Sequence, residues 1–174
     1  HARSILVVDR LTVDGVDGQL DADVPAGSRL TLAVDGPGRR PLLAALAGYV
    51  PSTGGRARIA DALLPSQPSR AARRVTLVDL DPVRLPAGVT LATLADERLA
   101  AARSRRRVDG WLSWLVSRLG AAGEPDIARA VDRVDPSVPL AALDPASRAL
   151  VAAALGSIDQ APVVLVDAGH LPPP

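Results

Sequence analysis

The sequence predicts an α/β protein, and three observations support this. The run Pro162 to Asp167 (PVVLVD) is apolar up to its final residue, as expected of a strand buried on both faces of a parallel sheet. Segments rich in β-branched residues, such as Ser4 to Val13, alternate along the chain with segments of helical character. Phe is absent although 48% of the residues are hydrophobic, so the core must consist of Leu, Val, Ala and Ile, which suits helices packed on a sheet.

The composition bounds the classes of function. A chain of 174 residues suits one domain with a substantial core, or part of a larger protein. The formal net charge of +1 provides no global field for nucleic acid or membrane, and we expect no nucleic-acid partner. Because there is no cysteine, disulfides and thiolate metal sites are excluded. With no apolar run of about 20 residues and no visible signal peptide, we expect a soluble, cytoplasmic protein.

Local signals place the individual elements. Pro41 suits the first position of a helix and Gly48 suits the position just after its end, while Asp144 followed by Pro145 is a typical helix start. Predicted strands are Ser4 to Val13, Arg29 to Val34, Arg56 to Ala60, Arg74 to Asp79 and Pro162 to Asp167. Predicted helices are Pro41 to Ala47, Thr90 to Arg107, Trp111 to Leu119, Pro125 to Val134 and Pro145 to Leu155.

The stretch Val34 to Leu43 (VDGPGRRPLL) lies where a phosphate-binding loop would lie, between a predicted strand and a short apolar helix. Such a loop needs the pattern G-x-x-x-x-G-K-[ST], because backbone N–H groups cradle phosphates, the lysine reaches their oxygens and the hydroxyl holds Mg²⁺. All basic residues of this chain except the two histidines are arginines. The frame of a phosphate-binding loop is therefore present without its lysine.

Taken in order, the segments of the chain resemble the nucleotide-binding domain of ABC transporters. The segments that carry the resemblance are VPAGSRLTLAVDG, LLAALAGYVPSTGGRARIAD, RRVTLVDLDPVRLPAGVTLATL, LAALDPASRALVAAALGSIDQAP and VVLVDAG. The resemblance implies a P-loop NTPase-like, mainly parallel sheet with an N-terminal antiparallel β portion and a helical subdomain at about 90–140. It implies one domain over residues 4–169, a tail over residues 170–174, and a chain that stops before the family's D-loop and switch histidine.

The Walker A position departs from the family pattern. The candidate nucleotide-binding residues of this loop are Gly36, Gly38, Arg39 and Arg40, but the interpretation that we favour is that Gly36 to Gly38 merely form a turn. Arg39 stands in the place of the lysine, and its planar fork is not equivalent to a compact ammonium group. Asp35 adds a carboxylate, which either occupies the positive end of the helix in place of phosphate or merely caps a turn.

The other family motifs are also altered. Leu80 takes the place of the Q-loop glutamine, and its neighbours Asp79 and Asp81 are either metal ligands or, as we expect, part of a solvated turn before Pro82. The signature-like segment contains Asp144, expected to be an ordinary N-cap, and Ser147.

In the Walker B position Asp167 is retained, whereas Ala168 replaces the glutamate that polarises water in the family. Asp167 is accordingly either a metal-holding carboxylate or a structural one. His170 is expected to be a solvated tail residue rather than a general base.

An arginine cluster precedes the only two tryptophans, Trp111 and Trp114. One interpretation is a solvated basic helix end followed by an amphipathic helix docked on the core. The other is a contact with a partner or a membrane surface, because tryptophans beside arginines favour interfaces. The candidate interface residues are Arg103, Arg105, Arg106, Arg107, Trp111 and Trp114.

Two functions remain in competition. The first is a degenerate, non-hydrolysing ABC-type domain that acts as a regulatory or scaffold subunit at the inner face of the membrane. Its partner would be a transporter membrane subunit or a second ATPase-like subunit, and a dimer is therefore one possible assembly. The second is a divergent ATPase in which Arg39 replaces the lysine and Asp167 holds Mg²⁺. We favour the first and expect no cofactor, although ATP and Mg²⁺ stay possible. A third function, a sensor that binds a phosphate ligand or nucleotide without turnover, overlaps the first and is not separable from it by sequence.

Overall fold

Alternating apolar residues build the N-terminal sheet. The computed structural model describes residues 3–32, 36–101 and 110–169. In β1 (Ser4–Thr12) the side chains of Leu6 and Val8 are buried, because successive residues of a strand face opposite sides of the sheet. Leu11 is buried as well, after a β-bulge or irregularity between Val8 and Leu11 that shifts the alternation. The partner strands are β2 (Leu20–Pro25), β3 (Gly54–Ile59) and β4 (Ala62–Leu64), and all pairings are antiparallel in the order β2-β1-β3-β4.

Two helices accompany this sheet, α1 (Arg39–Leu46) and α2 (Pro68–Ala72). Leu42 and Leu46 of α1 join the hydrophobic cluster that the sheet residues form. Helix α1 ends at Leu46, and Gly48, where φ is +76°, lies just after its C-cap Ala47, as predicted. The N–H of Gly48 donates to the carbonyl of Ala45 and that of Tyr49 to Ala44, so the final carbonyls of the helix are paired.

A second, parallel sheet consists of β5 (Val75–Asp79) and β6 (Val163–Asp167). At the start of the pair the N–H of Val163 donates to the carbonyl of Arg74 at 3.1 Å. At the end of the pair the N–H of Leu80 donates to the carbonyl of Asp167 at 2.7 Å. Since both strands begin side by side and end side by side, their carboxyl ends lie at one edge.

The remaining helices are α3 (Leu91–Ala101), α4 (Trp111–Ala121), α5 (Pro125–Arg133) and α6 (Pro145–Ile158). Each buries residues spaced three or four apart, such as Trp111, Leu115 and Leu119 in α4. Helix α4 packs on α5, and α6 packs on both α3 and α5. These helices are consistent with the predicted helical character of the second half of the chain.

The described residues form two compact units. The first contains residues 3–32, 36–77 and 161–165, with the antiparallel sheet, α1 and α2. The second contains residues 78–101, 110–160 and 166–169, with helices α3 to α6. Strands β5 and β6 contribute residues to both units. The α/β class, with an N-terminal antiparallel portion and a parallel sheet, is therefore confirmed.

Some sequence predictions were wrong in detail. Residues 29–32 have no regular strand hydrogen bonding, and residues 33–35 lie outside the described residues, so the strand predicted at Arg29 to Val34 is not supported. Its exposed Leu30, at 51%, lacks the burial that stabilises a central strand. Helix α1 begins at Arg39, which makes Pro41 its third residue rather than its first. Strands β2 and β4 and helix α2 were not predicted from the sequence.

Candidate functional site

The site lies at the carboxyl ends of β5 and β6, where ligands bind in open α/β sheets. Asp79 ends β5 and Asp167 ends β6. The hydrogen bond from Leu80 to Asp167 keeps the two strand ends together. Leu80 itself is buried, so the residue in the Q-loop position contributes packing and a backbone donor rather than a polar side chain.

Asp167, which the resemblance assigns to the Walker B position, is only 5% exposed. Its Oδ2 accepts a hydrogen bond from Nη2 of Arg84 at 2.6 Å, and its Oδ1 accepts one from the N–H of Gly169 at 3.1 Å. A buried carboxylate requires this kind of compensation, because the desolvation of an unpaired charge costs several kcal/mol. Arg84 supplies the compensating charge.

Arg84 binds two further carboxylates. Its Nε and Nη2 donate to the two oxygens of Asp79, both at 2.9 Å, and its Nη1 lies 2.9 Å from Oδ2 of Asp81. Hydrogen bonds to Asp79, and secondarily to Asp167, raise the pKa of the Arg84 guanidinium above its ordinary value. Arg84 therefore stays charged. Arg84 was not among the predicted site residues, since nothing in its local sequence marks it.

The expectation of a solvated turn at Asp79 to Pro82 was wrong for Asp81, which is 4% exposed. The turn is closed by its own side chains. Asp79 Oδ1 accepts the N–H of Asp81 at 3.1 Å, and Asp81 Oδ1 accepts the N–H of Val83 at 3.0 Å. Burial of Asp81 is less costly because the Arg84 guanidinium lies 2.9 Å from its Oδ2.

Gly169 approaches this turn closely. Its φ is +79°, and a Cβ added to it would lie 2.9 Å from Cδ of Pro82. The segment after β6 therefore needs glycine both for its backbone conformation and for space.

The signature-like segment begins helix α6. Asp144 is its N-cap, as predicted, and its Oδ1 accepts the N–H of Ser147 at 3.0 Å. Hydrogen bonds from Ser147 lower the pKa of Asp144 below the ordinary aspartate value. The carboxylate of Asp144 thus already occupies the positively polarised end of α6. Ser147 lines an open groove of about 590 Å³ together with Arg133 and Leu150.

Arg148 is a second functional candidate that sequence reasoning missed. Its side chain is buried at 4% exposure, and its guanidinium donates to the carbonyls of Ala168 and Leu143, at 3.0 and 2.8 Å. Arg148 lies directly after the signature-like segment. An arginine within an otherwise apolar helix was the feature of the sequence that could have identified it.

The Walker A-like residues belong to the first unit. Gly36, Pro37 and Gly38 form a single 3-10 turn, and Arg39 and Arg40 begin α1. Gly38 is buried, Arg39 is partly buried and Arg40 is exposed. Asp35 lies outside the described residues. That Gly38 and Asp167 share one edge of the sheet stays a prediction.

Of the predicted interface, Arg103, Arg105, Arg106 and Arg107 lie outside the described residues. Trp111 is 9% exposed, which favours the core interpretation for this side chain. Trp114 is partly exposed, and the guanidinium of Arg118 lies 5.5 Å from the centre of its ring. A charged group over an aromatic face is a favourable cation–π arrangement.

The donor set does not fit a Mg²⁺ ion. Across residues 3–32, 36–101 and 110–169, no group of three or more His, Cys, Asp or Glu side chains is arranged to hold a metal. Oδ2 of Asp167 instead contacts Arg84. Within the same ranges, no helix is long and apolar enough to cross a membrane.

No family model and no curated protein matches the chain. Solved structures do match. An ABC transporter in an inward-facing conformation aligns with a TM-score of 0.53 at 14% identity, over 94% of this chain and 60% of that one. An ATP-binding subunit of an ABC transporter aligns with a TM-score of 0.51 at 16% identity, over 94% and 65%. The cbiO1 protein from Clostridium perfringens, part of the ABC transporter complex cbiONQ, aligns with a TM-score of 0.49 at 16% identity, over 94% and 77%.

These similarities define the fold. The chain has the fold of the ATP-binding subunits of ABC transporters, and it spans about 60–65% of the length of the first and second of these structures.

Proposed function

We propose that this chain is a degenerate ABC-type ATP-binding-cassette domain that does not hydrolyse ATP. It acts as a regulatory or scaffold subunit that associates with a membrane transporter component. The observation that carries the proposal is the start of α6, where Asp144 accepts the N–H of Ser147 and Pro145 has no N–H. The resemblance implies that this helix start would contact the γ-phosphate of a nucleotide bound by a second subunit. A carboxylate at that place repels phosphate, and the proline removes a donor.

The other motifs support the same conclusion. Ala168 carries no group that can polarise water, and Arg40 and Pro41 offer no hydroxyl for a metal. General-base assistance alone is usually worth about 10²–10⁴-fold in rate. Loss of phosphate and metal contacts removes further electrostatic stabilisation of the transition state.

The proposed partner is a transporter membrane subunit or a second ATPase-like subunit, at the inner face of the membrane. Partly exposed Trp114, with Arg118 over its ring, is the described part of the proposed contact surface. Tryptophan and arginine are enriched among the residues that dominate binding energies at protein interfaces. The arginines at 103 and 105–107 complete the proposed surface.

The proposed function is tested by ATPase assays and calorimetry on the purified protein with ATP and Mg²⁺. We expect no turnover above the buffer blank, even at high protein concentration. An Asp167→Ala variant is the matched comparison, because it removes the retained Walker B carboxylate. Turnover by the wild type that disappears in Asp167→Ala would refute the proposal and establish a divergent, active ATPase.

A further inference from the structure

Every guanidinium nitrogen of Arg84 faces a carboxylate. Nε faces Asp79, Nη1 faces Asp81, and Nη2 faces both Asp79 and Asp167, at distances between 2.6 and 2.9 Å. A surface ion pair joins one cation to one carboxylate, whereas Arg84 makes four contacts to three carboxylates. Asp81 and Asp167 are also buried, so the nearby positive charge of Arg84 lowers the cost of burying both carboxylates.

The carboxylates are oriented by their own backbone. Asp79 Oδ1 accepts the N–H of Asp81, Asp81 Oδ1 accepts the N–H of Val83, and Asp167 Oδ1 accepts the N–H of Gly169. In Asp81 and Asp167 this leaves Oδ2 directed at Arg84. The loops after β5 and β6 therefore preorganise a cradle for one cation.

The shape of the cradle selects the cation. Mg²⁺ requires oxygen ligands at 2.0–2.1 Å in near-octahedral geometry. The carboxylate oxygens lie at hydrogen-bond distance around a planar guanidinium, which is much wider than a metal ion. Among the described residues there is also no cluster of side chains arranged to hold a metal. Arginine presents its donors in a rigid fork that matches carboxylates, whereas an ammonium group is a point charge.

We propose that Arg84 is a built-in cation that takes the place of a metal ion at Asp167, so that the ends of β5 and β6 are held together without Mg²⁺. This inference deepens the proposed non-hydrolysing function and rests on it. It assigns to Arg84 a positioning role, because Arg84 acts through the three carboxylates.

The test compares thermal unfolding of the wild type, Arg84→Ala and the control Arg129→Ala. Arg129 lies in the same unit and pairs with Asp126, but both side chains are more than half exposed. We expect Arg84→Ala to lower the Tm by roughly 6–20 °C and Arg129→Ala to lower it by less than about 4 °C. Equal losses in the two variants would overturn the proposal.

Cation rescue identifies what the cradle accepts. Methylguanidinium chloride at millimolar concentration is compared with MgCl₂ and NaCl at matched ionic strength. We expect methylguanidinium to restore part of the Tm of Arg84→Ala and to leave the wild type and Arg129→Ala unchanged. If Mg²⁺ restores the Tm of Arg84→Ala as much as methylguanidinium does, or more, the proposal is overturned. The carboxylates would then form a metal site that Arg84 blocks in the wild type.

A second variant keeps the test decisive if Arg84→Ala does not fold. Arg84→Lys retains the charge but not the fork, so we expect a folded protein with a Tm below that of the wild type. An Arg84→Lys protein as stable as the wild type would refute the guanidinium-specific cradle. Specific stabilisation of the wild type by Mg²⁺ without nucleotide would refute this inference and leave the proposed function standing, whereas ATP turnover would refute the proposed function and, with it, this inference.

Discussion

Arg148 of α6 donates a hydrogen bond from Nε to the carbonyl oxygen of Ala168, 3.0 Å away, just beyond the end of β6. The same guanidinium donates through Nη1 to the carbonyl of Leu143, which precedes the N-cap of α6. One buried side chain thus connects the signature-like helix start to the Walker B-like strand end.

We predict that Arg148→Met destabilises the protein by about 2–4 kcal/mol. The methionine fills the apolar volume but leaves two carbonyls without their donors, each worth about 1–3 kcal/mol when unsatisfied and buried. Urea unfolding followed by tryptophan fluorescence measures the loss. Arg129→Met is the exposed control, with an expected change below about 1 kcal/mol. Similar midpoints for both variants would mean that the two carbonyls find other donors.

Asp144→Ala should reduce the free energy of unfolding by about 1 kcal/mol, since the N-cap of α6 is lost. Asp144→Asn is the matched control, because asparagine caps a helix without a charge. The pKa of folded Asp144 lies below the ordinary value of 3.8, so its ionic contribution is complete above pH 3.8 and is lost as pH falls through the folded pKa. The stability difference between wild type and Asp144→Asn should shrink on acidification. A difference that stays constant with pH would show that the charge contributes nothing.

Gly48→Ala is expected to destabilise the protein by more than about 1 kcal/mol. Gly48 has a φ of +76°, and an added Cβ would lie 2.5 Å from the carbonyl oxygen of Pro68 at the start of α2. Gly120→Ala is the comparison, because Gly120 lies within α4 and a Cβ added there would meet no atom within 4 Å. There alanine should be neutral or stabilising by up to about 1 kcal/mol. Denaturation midpoints that rank the two variants in the opposite order would contradict the backbone assignment at Gly48.

The two tryptophans should behave differently. Trp111→Ala should cost about 3–5 kcal/mol, because the side chain is buried in the packing of α4. Trp114→Ala should cost far less in stability, since it loses a partly exposed ring and a cation–π contact with Arg118 worth about 0.5–1 kcal/mol. Chemical denaturation distinguishes them. If Trp114→Ala destabilises the protein as much as Trp111→Ala, Trp114 belongs to the core and is not part of the proposed contact surface.

Sequence reasoning succeeded where structure is local. The cap at Asp144, the C-terminal glycine at Gly48 and the apolar strand ending at Asp167 depend on residues within a few positions of each other. Backbone preference and side-chain capping act over that range, so the pattern alone was informative. The bounds of α4, α5 and α6 were accordingly close, although α6 extends three residues further, to Ile158.

The failures have a common physical cause, which is that burial and charge compensation are not local. Nothing near Leu30 in the sequence indicates that this side chain would be exposed, or that residues 29–32 would lack regular strand hydrogen bonding. Asp81 was expected to face solvent, because a buried aspartate is unfavourable until a cation neutralises it. Arg84 lies only three residues away, but its importance depends on Asp167, 83 positions along the chain.

By itself, the sequence determined the α/β class and most helices and strands, because these follow from residue identity and short-range pattern. Only the tertiary structure decided that the retained Asp167 is bound to Arg84 and that Arg148 connects α6 to the end of β6. Both depend on strands and helices that bring distant residues to hydrogen-bond distance in a buried environment. There each charge needs a partner, and the chain provides that partner from its own side chains and backbone.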